Sequence, residues 1–322
     1  MTHRRFLTAL LAALLAPAFT PAANAATAAA PANAAAPAAK QQAAPATPLA
    51  LKLVTFNLRF RGPGDTRNGN GWDDTRRPAV AAVLRRLDAD IFGTQEGLAV
   101  QLHHIASDLP AYAWAGVGRD DGRKRGEFSA IFYKKERFDL LETQHFWLSE
   151  TPTKPGSRSW NSACARMVTA VRLCEKTTGR QLWFLNSHFD HVSELARQKS
   201  AELILERIKK FDPAIPVFLT ADFNAAAVRS ETYKALTASG AFLDTWVLAA
   251  RRLNSDYNTY QGFNRNPKRN KAGGSRIDWI LVRPAAGSLP PRVSRSEIVI
   301  DRRPDGGFPS DHFPVTAILT LR

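Results

Sequence analysis

Four short apolar runs, spread across most of the chain, each stop at a polar side chain. Residues 51–56 run into Asn57, residues 90–94 into Gln95 and Glu96, residues 182–187 into His188, and residues 216–221 into Asp222. Runs of this length and residue type suit buried β-strands. Further strands are predicted over residues 128–133, 166–173, 276–282 and 315–321. Between some of them apolar residues recur at helical spacing, with Val80, Val83, Leu84 and Leu87 on one face and Ala201, Leu205 and Ile208 on another. The mixture predicts an α/β chain with stacked sheets covered by helices. Loops at strand ends gather side chains from distant sequence onto a rigid frame, so the polar residues that stop the runs are expected to meet at one edge.

The first 25 residues carry His3, Arg4 and Arg5, then an apolar stretch over 6–19, then Ala23-Asn24-Ala25. This is the order of a secretory signal peptide, with cleavage expected after Ala25 and delivery to the periplasm or the medium. Arg4-Arg5 before Phe6-Leu7 leaves both twin-arginine and Sec export open. Residues 26–48 are almost wholly Ala, Pro, Thr, Asn and Gln, with Lys40 the only charge, and are read as a disordered linker. Residues 49–322 show even composition and no repeat, as expected of one domain. No apolar run after residue 20 is long enough to cross a bilayer, and a soluble monomer is expected.

The formal net charge is +15, and loss of Arg4 and Arg5 with the leader removes two of those charges to leave +13. Charge does not choose a fold, but it favours anionic partners such as phosphoesters, nucleic acids or acidic lipid surfaces. The two cysteines, Cys164 and Cys174, would stand roughly 33 Å apart on a continuous strand. A disulfide needs α-carbons within ~7 Å, so both are expected to be free. Neither has a partner at zinc-ligand spacing.

Hydrolysing a phosphoester near neutral pH takes a cation for the phosphate charge, a group to orient and deprotonate water, and donors for the transition-state oxygens. The carboxylates, amides and imidazoles at these strand ends supply all three. Magnesium or manganese takes oxygen ligands and keeps several waters, so one or two carboxylates suffice to hold it. Glu96 is the first candidate ligand, and Asn57 either braces it, joins it on the metal or touches the metal-bound phosphate. His188 is expected to contact the phosphate or the leaving group. Period-two spacing puts Asp190 on the same face as His188 and His191 on the other, both as supporting residues.

Asp222 and Asn224 lie two apart with Phe223 packed inward. Asp222 is expected to hold the attacking water, and Asn224 to fix that carboxylate and donate to phosphoryl oxygens. Asp278 places a charge inside an apolar strand and needs a partner. His312, in Ser310-Asp311-His312, supplies one and would oppose the developing phosphoryl charge, while Asp311 reaches the metal. Arg166, at the start of a strand, is a candidate phosphate contact. Taken singly, each signal is also that of a solvated glutamate, a capping asparagine or a turn aspartate.

Phe56-Asn57, Gln95-Glu96, Ser187-His188, Asp222-Phe223-Asn224, Arg276-Ile277-Asp278 and Ser310-Asp311-His312 follow the order of the endonuclease/exonuclease/phosphatase superfamily, which the chain resembles over about residues 51–321. No single motif is specific, and six in order are. The resemblance implies a four-layered α/β sandwich, two packed mixed β-sheets flanked by helices. It also implies magnesium-dependent phosphoester cleavage with no covalent intermediate. Phe56-Asn57-Leu58-Arg59, Trp72 with Arg76 and Arg77, and the segment from Ser187 to His191 look most like a bacterial, often exported branch. Two departures stand out: Ala221 replaces the glycine usual before Asp-Phe-Asn, and Arg59 stands where apurinic endonucleases carry a metal-binding aspartate.

The leading expectation is an exported metal-dependent phosphodiesterase or phosphatase. Basic loops at 119–125 and 265–276 and at Arg302-Arg303 admit a secreted nonspecific nuclease as a rival, and a noncatalytic polyanion binder as a second. No row of aromatics accompanies those loops, which favours a small phosphoester or a lipid headgroup over a polynucleotide.

Overall fold

A computed structural model describes residues 47–322 except Ser239 and Lys271. The expected leader, and the linker up to residue 46, lie outside the described residues.

In chain order the strands are β1 (Leu49–Asn57), β2 (Ile91–Gly97), β3 (Tyr112–Ala115), β4 (Phe128–Lys134), β5 (Phe138–Trp147), β6 (Met167–Glu175) and β7 (Gln181–His188). They continue with β8 (Val217–Asp222), β9 (Leu243–Asp244), β10 (Arg251–Leu253), β11 (Asp278–Arg283), β12 (Arg292–Ile298) and β13 (Val315–Leu321). The helices are α1 (Pro63–Arg67), α2 (Arg77–Leu87), α3 (Ala99–Asp108), α4 (Glu194–Ile208), α5 (Glu231–Thr237) and α6 (Thr245–Leu248). One sheet runs β10-β12-β13-β1-β2-β4-β3 and the other β5-β6-β7-β8-β11-β9. Both are mixed: β1 and β2, like β7 and β8, pair in parallel, whereas β13 on β1, β4 on β2, β6 on β7 and β11 on β8 are antiparallel.

Period-two alternation sorts the apolar side chains into layers. Leu49, Leu51 and Leu53 of β1 meet Phe184 of β7, Phe218 of β8 and Ile280 of β11 in the core between the sheets. The alternate residues Val54 and Phe56 face outward onto Val80, Val83 and Leu84 of α2 and Leu102 and Ile105 of α3. On the other side, Leu185, Leu219 and Leu281 pack under Ala201, Ile204 and Ile208 of α4. The order helix, sheet, sheet, helix is the four-layered sandwich expected.

The eight strands expected from apolar runs are all present, with ends displaced by three residues or fewer. β5 and β12 escaped notice because their sequences carry charges on exposed positions, as strands near a sheet edge do. Among the described residues no helix is long and apolar enough to cross a membrane.

Candidate active site

The strand directions put the ends of β1, β2, β7 and β8 at one edge together with the starts of β4, β6, β11 and β13. Along that edge the inward-facing rows change character step by step. In β1 the row runs Leu53, Thr55, Asn57; in β7, Phe184, Asn186, His188; in β8, Phe218, Thr220, Asp222; and in β11, read backward, Val282, Ile280, Asp278. Register aligns the last steps, pairing His188 and Asp278 with Asp222 and Asn57 with Gln95. An apolar core therefore passes through a layer of hydroxyls and amides into a cluster of ionisable groups.

The middle layer is fully buried and hydrogen-bonded. Gln95 Nε2 donates to Thr55 Oγ1 at 3.0 Å and to Asn186 Oδ1 at 2.7 Å. Thr220 Oγ1 donates to the same Asn186 oxygen at 3.0 Å, while Asn186 Nδ2 donates to the carbonyls of Thr94 and Ala130. Gly93 makes this junction possible, since a Cβ there would stand 2.5 Å from Asn186 Oδ1 and closer still to Thr220 Oγ1. This layer fixes the spacing between the two sheets directly below the ionisable cluster.

Above it, Asn57 Nδ2 donates to Glu96 Oε1 at 2.9 Å and to Asp222 Oδ2 at 3.0 Å, joining residues from both sheets. The Asn57 oxygen accepts from Arg59 N–H at 3.0 Å, so the amide braces the carboxylates with its nitrogen side. Glu96 belongs by parity to the outer face. A register shift between Thr94 and Gly97 and a φ of 62° at Glu96 turn it into the site.

His312 Nδ1 lies 3.0 Å from Asp278 Oδ2, and its Nε2 lies 3.6 Å from Asp222 Oδ2. Burial by itself lowers the pKa of this ring, but Asp278 and Asp222 overcome it and raise it to about 10, so His312 is an imidazolium at neutral pH. Asp222 shifts the other way for a carboxylate, up to about 7, through burial and the neighbouring charge of Asp278. His188 accepts from Asn224 Nδ2 on its Nε2 at 3.0 Å. Burial and the charges of Arg166 and Arg119 hold its pKa well below the ordinary value, so it is neutral with its proton on Nδ1.

Cations frame the cluster. Arg59 reaches Asp65 at 3.0 Å and Glu96 and Asp311 at 3.9 Å each. Arg166, buried at the start of β6, donates to His191 Nδ1 at 3.0 Å and approaches Asp190 at 3.8 Å. Its Nε and Nη1 have no hydrogen-bond partner among the described residues. Arg76 is fully buried, with its guanidinium donating to the carbonyls of Leu58, Arg59, Phe60 and Asn70. That clamp holds the turn at Arg59, where φ is 55°, and so the donor that orients Asn57. Among the described residues the cleft has a volume of about 330 Å³, and its lining includes Glu96, Arg166, His188, Asp222, Asn224, Asp311 and His312.

The structure brings Glu96, Arg166, His188, Asp222, Asn224, Asp311 and His312 together at this cleft, with Asp278 one step behind His312 and Asn57 beneath Glu96 and Asp222. Two expectations are corrected. Asn224 fixes Asp222 through its backbone N–H at 2.9 Å, while its side-chain amide donates to His188 Nε2 and to the Phe189 carbonyl because a φ of 48° turns it that way. Period two does not continue past His188, because β7 ends there. His191 therefore lines the cleft beside His188, while Asp190 turns inward to accept from the backbone N–H groups of Ala163, Val192 and Ser193. Cys164 and Cys174 are both free, and Cys164 lines the cleft.

Arg119, from the basic loop noted in the sequence, also lines the cleft, and two titratable lining residues were missed: Glu127 and Tyr260. Glu127 immediately precedes β4 and sits 3.8 Å from His188 Nδ1, with burial raising its pKa. A search for polar residues after apolar runs overlooks it, because an antiparallel strand brings its beginning to this edge. Tyr260 pairs with His312 in an isolated bridge, from a loop with no periodic signal.

The comparisons with known proteins agree with this geometry. The chain matches the Endonuclease/Exonuclease/phosphatase family over residues 54–312. A Bacteroides thetaiotaomicron protein of that family is 35% identical with a TM-score of 0.79, over 86% of this chain and 97% of that one. A mannosyl-6-phosphatase from the same bacterium is 36% identical with a TM-score of 0.76, over 84% and 99%. D. rerio TDP2 complexed with a single-strand DNA product shares the fold at 16% identity and a TM-score of 0.63, over 84% and 98%. Among curated sequences, Uncharacterized protein R895 of Acanthamoeba polyphaga mimivirus is 27% identical over 205 residues, 54% of this chain. The match spans only 30% of that longer protein. With a match covering most of its length and the same four-layered architecture, the chain belongs to the endonuclease/exonuclease/phosphatase family.

Proposed function

We propose that the protein is an exported, divalent-metal-dependent hydrolase of small phosphoesters. One observation carries the chemistry: a buried histidine, His312, held between the carboxylates of Asp278 and Asp222 at a cleft. Asp222, with a pKa near 7, is matched to the task of taking a proton from water at neutral pH. In this reading water oxygen attacks phosphorus, its proton passes to Asp222, and the bond from phosphorus to the leaving oxygen breaks with its electron pair going to that oxygen, which departs as the alcohol after taking a proton from solvent. His312 meets the charge that develops on the phosphoryl oxygens. The guanidinium of Arg166, which lines the cleft, binds the phosphate oxygens, while the Asn224 amide, donating to His188 Nε2 and to the Phe189 carbonyl, holds neutral His188 where it offers its contact without adding charge.

The donor set fits a hard cation. Glu96 and Asp311 are oxygen donors facing one cleft, and Glu96, His188 and Asp222 each bring a ligand atom to within 4.8 Å of the others. Glu96 and Asp311 are the residues that would hold magnesium or manganese. Bound there, the ion would neutralise phosphate charge as a Lewis acid. Export rests on the order of charges, apolar residues and small residues in positions 1–25.

A small substrate is favoured by where the positive charge goes. Arg119 pairs with Glu127, Arg125 with Asp121, Arg265 and Arg303 with Asp305, and Arg269 with Asp256. Much of the charge of the basic loops is thus locally compensated, which leaves little continuous track for a polynucleotide. The 36%-identical neighbour named as a mannosyl-6-phosphatase supports the same choice. The test is a panel of sugar phosphates, other phosphomonoesters, phosphodiesters and nucleic acids, assayed with and without chelator. Hydrolysis confined to polynucleotides would overturn the small-substrate reading, and turnover that survives chelation would overturn the metal.

A further inference from the structure

On the far side of the segment that carries Asp278 lies a second and larger cavity, of about 480 Å³. The two cavities share a wall: Ile277 lines the catalytic cleft, whereas Ser275 and Arg276 line the second cavity. We propose that this second cavity is a separate binding site for a small organic oxyanion, one bearing a phosphate or carboxylate head.

The charge of the lining is the first argument. Arg229, Arg252 and Arg276 all line it, and no carboxylate does so among the described residues. Arg276 is buried and engages Asp244 through Nη2 at 2.8 Å, but its Nη1 has no partner among the described residues. Arg252 spends two of its nitrogens on the carbonyls of Trp246 and Val247, which leaves its charge uncancelled. Arg229 has no carboxylate partner among the described residues. A concave surface with one sign of charge and low-dielectric walls focuses potential inward, and guanidinium groups match the oxygens of phosphate and carboxylate.

The shape and the apolar part of the lining are the second argument. Trp246 lies beneath the Arg276 guanidinium, 4.9 Å from it, and Val228 and Val247 stand exposed at the rim by 59% and 52%. Val228 also holds a φ of 70°, a conformation that a β-branched residue rarely adopts and that concentrates at ligand sites. Gly273 and Gly274 form the opposite lip. A Cβ at Gly274 would collide with the carbonyl of Tyr257, so the backbone there is held close in by design of the loop. Apolar walls with a few convergent polar groups, in a volume of this order, are the ordinary make-up of a small-molecule site. The guanidinium groups would take the oxyanion head, and the apolar walls leave room for an apolar or flat body beside it.

The test is isothermal titration calorimetry of the full chain with two probes, inorganic phosphate and benzoate. It is run on the wild type, on an Arg229→Ala/Arg252→Ala double variant and on Val247→Glu, which sets a carboxylate at the rim on an already exposed position. None of these residues belongs to the catalytic cleft. Loss of two charge-assisted contacts should weaken one binding event roughly tenfold or more in the double variant. Val247→Glu should weaken the same event, and hydrolysis of nitrophenyl phosphate should keep its KM in both variants. Phosphate also has the cleft to bind, so the decisive quantity is the event lost between wild type and variants. Weakening with both probes identifies a general oxyanion site, and weakening with one alone identifies the head group. Binding isotherms that coincide in all three proteins for both probes would overturn the proposal.

Discussion

Asp278 Oδ2 sits 3.0 Å from Nδ1 of His312, and both side chains are buried. The carboxylate orients the ring and, with Asp222, lifts its pKa from 6.5 to about 10 against the effect of burial. A histidine raised on folding contributes stability that is complete below about 6.5 and is lost as pH rises toward 10. Turnover and Tm should both decline on the alkaline side over that window. Asp278→Asn should move the alkaline limb of kcat toward lower pH and cost roughly 10²–10⁴ in turnover at neutral pH. An alkaline limb at the same pH in the variant would refute this assignment of His312.

Asp222→Asn separates catalysis from stability. Folding raises this carboxyl from 3.8 to about 7, so as pH climbs through that range the folded state carries an increasing cost that the unfolded chain does not. The amide removes the charge beside Asp278 while keeping an oxygen to accept from Asn224 or Asn57. Turnover should fall by about 10² or more, with Tm at pH 8 equal to or above the wild type. In the wild type, kcat/KM should rise as pH passes through about 7. A variant that keeps its activity, or one that melts far below the wild type, would contradict the base role or the sign of the linkage.

Gly93→Ala tests the buried amide and hydroxyl layer under the site. The new methyl meets Asn186 and Thr220, whose positions are fixed by hydrogen bonds between the sheets, and overpacking of this kind costs about 1–3 kcal/mol. At roughly 2–4 °C per kcal/mol for a domain of this size, Tm should drop by several degrees. Adding Thr220→Ala removes one of the colliding atoms, so the double variant should melt higher than the sum of the single effects predicts. Strict additivity would mean that the collision is relieved elsewhere.

Cation dependence divides two roles among neighbouring residues. Glu96→Ala should raise the magnesium or manganese concentration needed for half-maximal turnover. Arg59→Ala removes a guanidinium 3.9 Å from both Glu96 and Asp311, and should lower that concentration because a competing positive charge is gone. Manganese affinity measured by calorimetry would show the opposite shifts directly. Parallel weakening in both variants would mean that Arg59 organises the carboxylates more than it competes for them.

What was legible from sequence follows from how each residue reaches the edge. Asn57, His188 and Asp222 continue inward-facing rows whose apolar members mark the strand, so composition and period two find them together. Glu96 was found by position alone, since its row points outward and only the bulge at Thr94–Gly97 turns it in. Glu127 precedes its strand, and Tyr260 comes from a loop, so neither has a periodic neighbour to announce it. His191 was misplaced because alternation was carried beyond the last residue of β7. Arg76 stood out as a motif, yet its work is done through backbone carbonyls, which leave no trace in side-chain pattern.

Salt dependence decides between a small phosphoester and a polynucleotide. A duplex bound through several phosphates loses affinity with salt at a log–log slope of about −0.9 per phosphate, or about −0.7 on a single strand. A small phosphoester engages only the cleft, and its kcat/KM should vary shallowly. Arg123, Lys124 and Arg125 lie in the turn before Glu127, where Arg125 is exposed and its nearest carboxylate, Asp121, stands 3.4 Å away. Neutralising all three should leave turnover of a sugar phosphate within about twofold, because these side chains are exposed, do not line the cleft and are screened by solvent and salt. The same variant would flatten a steep slope on DNA or RNA if backbone phosphates bind there. A steep nucleic-acid slope in the wild type that flattens in the variant, with kcat/KM exceeding that of any sugar phosphate, would reverse the preference and make the protein a nuclease.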